Sequence, residues 1–168
     1  ILGCLSGRVS LSEGQLLLDG QDMYATELTP LLGGVDAGNH IYNASVLDNI
    51  TLFSTYDLSR LEDRLKRHPH PKIDYLLKQP DAGVLSNGEK QMVGLLRTYL
   101  VHPPIVLLDE PTAALDAISE EQMFTRIADF IKDRTAIVIT HRLSCTKAFY
   151  KILFLESGEI IESGAHQD

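Results

Sequence analysis

Apolar residues recur along the 168-residue chain in two rhythms. Unbroken runs, IVLL at 105–108, TAIVIT at 135–140 and KILFL at 151–155, are bounded by turn residues and charges. The first two read as buried strands, residues 135–140 as one covered on both faces, and the third leads into the chain's closing segment. Between them apolar positions return every three or four residues. That spacing predicts helices over 46–50, 57–67, 71–78, 85 to about 100, 118–132, and from about Arg142 onward. GQLLLDG at 14–20 reads as a strand leaving through an Asp-Gly turn, residues 31–35 as a short strand, and residues 1–6 as the tail of a helix stopped by Gly7. Strands alternating with helices predict an α/β fold with a largely parallel sheet. ESGEIIESG near the end predicts a hairpin that adds an antiparallel edge. No internal repeat or low-complexity linker interrupts the pattern.

Composition narrows the picture. A 44% apolar content at this length fits one compact domain. Fifteen basic residues against 23 acidic ones, a net charge of −8, argue against direct nucleic-acid binding, which needs a basic footprint. Cys4 and Cys145 lie far apart with no CxxC or Cys/His spacing, so neither a disulfide framework nor a zinc site is expected. A reduced, cytosolic setting follows. No uncharged apolar run reaches the ~18 residues of a membrane span, so any membrane association is expected to need a partner. The start, ILGCLSG, carries neither an initiator methionine nor a basic leader and looks like a cut end. A sheet cut there is expected to expose strand edges and part of its core.

Three stretches carry chemistry. In IVLLDEPTAALD, a buried strand delivers Asp109 and Glu110 to its carboxyl end, where ligands collect in parallel sheets. Either the pair is an ordinary acidic turn after a strand, or Asp109 holds Mg²⁺ there, directly or through water, and Glu110 polarises an attacking water. In LSNGEKQMVGLLR, Ser86 and Glu89 have the spacing of a capping box, which is complete as structure. The same helix start offers free N–H groups, so Ser86 and the Gly88 amide are also placed to receive an anion. In IVITHRL, His141 follows a buried strand, either as a surface residue or as a group touching a phosphate oxygen beside Glu110.

Taken in order, these stretches resemble the nucleotide-binding domain of ATP-binding cassette (ABC) proteins. Ser86, Asn87, Gly88 and Glu89 stand where that family has its LSGGQ signature, and Asp109-Glu110 where it has the Walker B pair. Ala114-Leu115-Asp116 matches its D-loop and His141 its switch histidine. SEGQLLLDGQDM, IYNASVLDNI and GEIIESGAHQD resemble flanking segments of exporter-type members, so the likeness covers essentially the whole chain. The resemblance implies a P-loop NTPase-like α/β fold: a mainly parallel sheet with helices on both faces, a helical subdomain at about 46–100 and a C-terminal β-hairpin. It further implies that ATP and Mg²⁺ are bound between two such domains packed head to tail. Ser86, Asn87, Gly88 and Glu89 would then close on ATP held by the partner domain, and Asp116 would reach across the dimer. Asp109 would serve the metal, Glu110 the water, and His141 the γ-phosphate. The expected partners are a second nucleotide-binding domain and a transmembrane domain, which places the protein on the cytoplasmic face of a membrane as an ATPase driving transport. The alternative is a degenerate cassette that binds a partner structurally without hydrolysis.

The chain departs from the family pattern in three places. No lysine follows a glycine or precedes Ser or Thr, so G-x-x-x-x-G-K-[ST] does not occur in it. This phosphate cradle is expected upstream of Ile1, and the 168 residues alone are expected to be inactive. The family's Q-loop glutamine should fall near Ala37, with Asp36 or Asn39 as possible substitutes. The signature carries Asn87 for a glycine and Glu89 for glutamine, which preserves the cap but sets a carboxylate near a triphosphate. Lys90 or the capping bond would have to offset it.

Overall fold

A computed structural model describes residues 1–28, 30–35, 40–67 and 69–166, the side chains of residues 60, 64 and 143–145 excepted. Positions 36, 37 and 39, where the Q-loop glutamine or its substitute was expected, lie outside the described residues. The elements in order are α1 (Leu2–Leu5), β1 (Leu17–Leu18), β2 (Gln21–Asp22), β3 (Leu32–Val35), α2 (Val46–Thr51), α3 (Ser59–Arg67) and α4 (Pro71–Leu76). There follow α5 (Asn87–Val101), β4 (Ile105–Asp109), α6 (Ala117–Ile131), β5 (Thr135–Ile139), β6 (Ile152–Glu156) and β7 (Glu159–Gly164).

β4 lies between β3 and β5 in a parallel three-stranded sheet. Its position explains its sequence: Val106, Leu107 and Leu108 are all buried, so the strand has no polar alternation. α5 starts at the Ser86 cap and ends at His102, whose left-handed φ of 59° turns the chain into Pro103-Pro104. Its stripe of Met92, Leu95, Leu96 and Tyr99 shares one core with Met123, Ile127 and Phe130 of α6. Tyr99 and Phe130 meet with ring centroids 4.6 Å apart. Each such large side chain contributes about 1.5–3 kcal/mol by leaving water.

α2 packs on α5 through a buried polar node. Arg97 Nε donates to the Asn49 carbonyl at 2.5 Å and Arg97 Nη2 to Asn49 Oδ1 at 3.1 Å. Asn49, fully buried, also accepts from the Tyr42 N–H at 2.8 Å and donates to the Tyr42 and Ser45 carbonyls. Desolvation lowers the pKa of Arg97, so these acceptors offset its burial.

Four expectations are corrected. β5, expected to be covered on both faces, is only half-buried with Thr135 exposed, because it pairs on one side alone among the described residues. The segment after Arg142 is a 3-10 turn over Leu143–Ala148, not an α-helix: Arg142 gives no side-chain cap, whereas the equally short α2 and α4 are capped by Ser45 and His70. The closing hairpin is a separate two-stranded sheet, β6 with β7, and among the described residues it does not pair with the parallel sheet. Phe154, Ile160 and Ile161 on it are exposed. The first strand is also shorter than its apolar run, two residues paired with β2 across the Asp19-Gly20 turn.

Candidate functional site

Parallel pairing brings the ends of β4 and β5 side by side, with Asp109 opposite Ile139. Asp109-Glu110 and Thr140-His141 therefore leave the sheet at the same level. Glu110 then adopts a left-handed φ of 44°, a conformation that costs a non-glycine residue about 1–2 kcal/mol. Hydrogen bonds hold it there: its N–H donates to the Ile139 carbonyl at 2.9 Å, and its carbonyl accepts from the Ala113 N–H at 3.1 Å. In this pose Glu110 Oε1 lies 2.6 Å from His141 Nε2. The Glu110 side chain is about one-third exposed and that of His141 mostly exposed, so the pair faces solvent at the sheet's edge.

The turn after Glu110 is held from two sides. From α5, Gln91 Nε2 donates to the Glu110 carbonyl at 3.3 Å while Gln91 Oε1 accepts from the Ala114 N–H at 3.1 Å. From the loop after β5, Arg142 pairs with buried Glu120 and donates to the Ala113 carbonyl at 3.4 Å. Thr112 Oγ1 also reaches Glu120, at 3.4 Å. Glu120 thus anchors both the turn and the loop bearing His141.

The capping box at the start of α5 is formed. Glu89 Oε2 accepts from both the N–H and the O–H of Ser86 at 2.8 Å, and the Glu89 N–H donates to Ser86 Oγ at 3.4 Å. Asn87 opens the helix. Gly88 packs against the turn so closely that a Cβ there would lie 2.7 Å from the Ala114 carbonyl oxygen. Asp116 caps α6, accepting from the Ser119 N–H at 2.9 Å and the Ser119 O–H at 2.7 Å. Those two donors hold its carboxyl below the ordinary range.

Asp109 and Glu110 are the acids at the sheet end, and among the described residues no cluster of three or more His, Cys, Asp and Glu could hold a metal by itself. Asp109 alone could at most supply one carboxylate to a Mg²⁺ ion shared with waters and substrate oxygens. Glu110 and His141 are brought together, and Gly88 meets Ala114 and Leu115 of the turn after Glu110. Sequence reasoning missed Gln91, Glu120 and Arg142. A signal existed for two of them: Gln91 and Glu120 are polar residues on otherwise apolar helical stripes, where a buried partner is the usual explanation.

Comparison with known proteins gives the same picture. The family described as ABC transporter matches residues 1–113. The ATP-dependent lipid A-core flippase of Photobacterium profundum is 32% identical over 178 residues, covering 99% of this chain and 30% of that protein. The mitochondrial iron-sulfur clusters transporter ABCB7 of Oryzias latipes is 34% identical over 169 residues, covering 92% of this chain and 22% of that protein. A bacterial Atm1-family ABC exporter with ATP bound superposes with a TM-score of 0.87 at 29% identity, over 99% of this chain and 31% of that one. The chain thus spans under a third of the length of each of these relatives. A parallel sheet ending in an acid pair, a capped helix against its turn and a sequence match over two-thirds of its length place the chain in the ABC transporter family.

Proposed function

We propose that this chain is the nucleotide-binding part of an exporter-type ABC transporter, in which ATP binding and hydrolysis move a transmembrane partner from the cytoplasmic face of a membrane. The observation that carries this reading is the 2.6 Å contact between Glu110 and His141 at adjoining strand ends, next to Asp109. In this reading Glu110 takes a proton from the attacking water or orients it, and His141 keeps the carboxylate in line while touching the γ-phosphate. Asp109 would hold Mg²⁺, which supplies charge neutralisation on the phosphates when bound. Ser86, Asn87, Gly88 and Glu89 would close on ATP carried by a second domain packed head to tail, with Asp116 contacting that domain. Residues 46–100 would form the helical subdomain that meets the transmembrane partner.

A second reading is favoured by one observation, that no G-x-x-x-x-G-K-[ST] cradle occurs in the 168 residues. By themselves these residues would then bind nucleotide weakly or not at all, and would not hydrolyse it. Calorimetric titration of the 168-residue chain with a non-hydrolysable ATP analogue tests this, and micromolar affinity overturns it. In the membrane protein that carries the domain, Glu110→Gln is expected to abolish ATP turnover while sparing ATP binding. Unchanged phosphate release would remove Glu110 from its role.

A further inference from the structure

The side-chain amide of Gln91 satisfies two backbone groups of one turn, the Glu110 carbonyl at 3.3 Å and the Ala114 N–H at 3.1 Å. Only one orientation of the amide does both. Glu110 sits in a left-handed conformation with its N–H already given to Ile139, and its carbonyl is the acceptor shared by Gln91 and Ala113. Gln91 lies two residues beyond Glu89 and one turn beyond Gly88, which packs on the carbonyl of Ala114. One helical turn thus carries the capping box, the close glycine contact and the amide clamp.

We propose that Gln91 is a positioning residue that locks the capped start of α5 to the Glu110–Ala114 turn, so that a displacement at Ser86–Glu89 is passed to Glu110 within the same chain. Its catalytic meaning rests on the function proposed above. In a head-to-tail pair, Ser86–Glu89 of a chain faces one nucleotide and Glu110 of that chain faces the other, so this clamp would link the two. The clamp itself needs no nucleotide, and its failure is distinguishable from failure of that reading.

Amide exchange in the intact 168-residue chain, read residue by residue by NMR, provides the test. Gln91→Met removes both polar atoms at similar volume and is expected to speed exchange of the Ala114 amide about five- to tenfold, with β4 unchanged. Gln91→Glu retains an acceptor for Ala114 and is expected to restore most of its protection, a rescue that side-chain volume alone does not predict. Glu89→Ala, which opens the capping box, is expected to speed Ala114 exchange in the wild-type background and to have little added effect in the Gln91→Met background. Wild-type Ala114 protection in Gln91→Met, or an equal response to Glu89→Ala in both backgrounds, overturns the proposal. Should Gln91→Met not fold, the Gln91→Glu chain carries the same comparison, with retained Ala114 protection expected and its loss overturning the proposal.

Discussion

His141 Nε2 stands 2.6 Å from Glu110 Oε1, although 31 positions of chain separate them and they follow different strands. The contact exists because β4 and β5 run parallel and in register up to Asp109 and Ile139. In a transporter carrying this domain, His141→Ala should therefore leave Glu110 without its lateral partner. Turnover is expected to fall about 100- to 1,000-fold, the usual scale for removing one preorganised polar group, with ATP binding changed only a few-fold. Phosphate release and nucleotide binding measured on the same preparation check this. A parallel loss of both would point to misfolding.

Gly88→Ala tests the contact between α5 and the turn. The new methyl would sit 2.7 Å from the Ala114 oxygen and 3.0 Å from Leu115 Cδ2, so helix and turn must separate. A loss of about 1–3 kcal/mol in unfolding free energy is expected from denaturant titration, despite alanine's better helix propensity. A stabilised variant would show that the contact is looser than described.

His70 gives the chain a pH dependence. It is buried, and its Nδ1 accepts from the Lys72 N–H at 3.1 Å, capping α4. Its pKa is lowered from 6.5, first by burial and then by Arg126 and Lys72, with Asp74 opposing. Below pH 6.5 the unfolded chain therefore binds the proton more readily than the folded one. The sign follows: stability is complete above that pH, is lost as pH falls toward the depressed folded value, and loses nothing further from this group below it. Melting temperatures at pH 7.5, 6.0 and 5.0 should decline for the wild type and decline less for His70→Asn, which keeps a capping side chain that does not titrate. Identical declines would exclude His70 as the source.

Asn49→Leu should be costly for a chain of this size. Asn49 is fully buried and receives both hydrogen bonds of Arg97 described above. Leucine removes the Oδ1 acceptor and leaves part of a desolvated guanidinium unpaired. A loss of about 1.5–3 kcal/mol is expected, the range for hydrogen bonds to charged groups, again read by denaturant unfolding. The double variant with Arg97→Met should recover part of it if the unpaired charge is the cause.

Much of this architecture was legible in the apolar pattern. The run at 105–108 is a strand without alternation because β4, flanked by β3 and β5, is covered on both faces. The run at 135–140 was legible as a strand but not its burial, which is only partial because β5 pairs on one side alone among the described residues. One helix start was legible as a cap, at Ser86, whereas the caps at Ser45 and Asp116 emerged only with the structure. The start of α5 was read two residues early, since Leu85 continues the apolar period but lies outside the Ser86 cap. The segment after Arg142 misled because helical periodicity over six residues does not distinguish a 3-10 turn from an α-helix. The hairpin was legible as a hairpin but not its partner, because its pattern records pairing between β6 and β7 and nothing about a third strand.

The sequence by itself determined the acid pair, the capping box and the histidine, because each is a local consequence of a strand end or a helix start. Tertiary structure alone decided that Glu110 meets His141 and that Gly88 meets Ala114. It also decided that Gln91, Glu120 and Arg142 hold the turn between them. Apart from Thr112 with Glu120, those contacts join residues 19 to 31 positions apart. Their distances depend on strand register and helix packing, which no local pattern encodes.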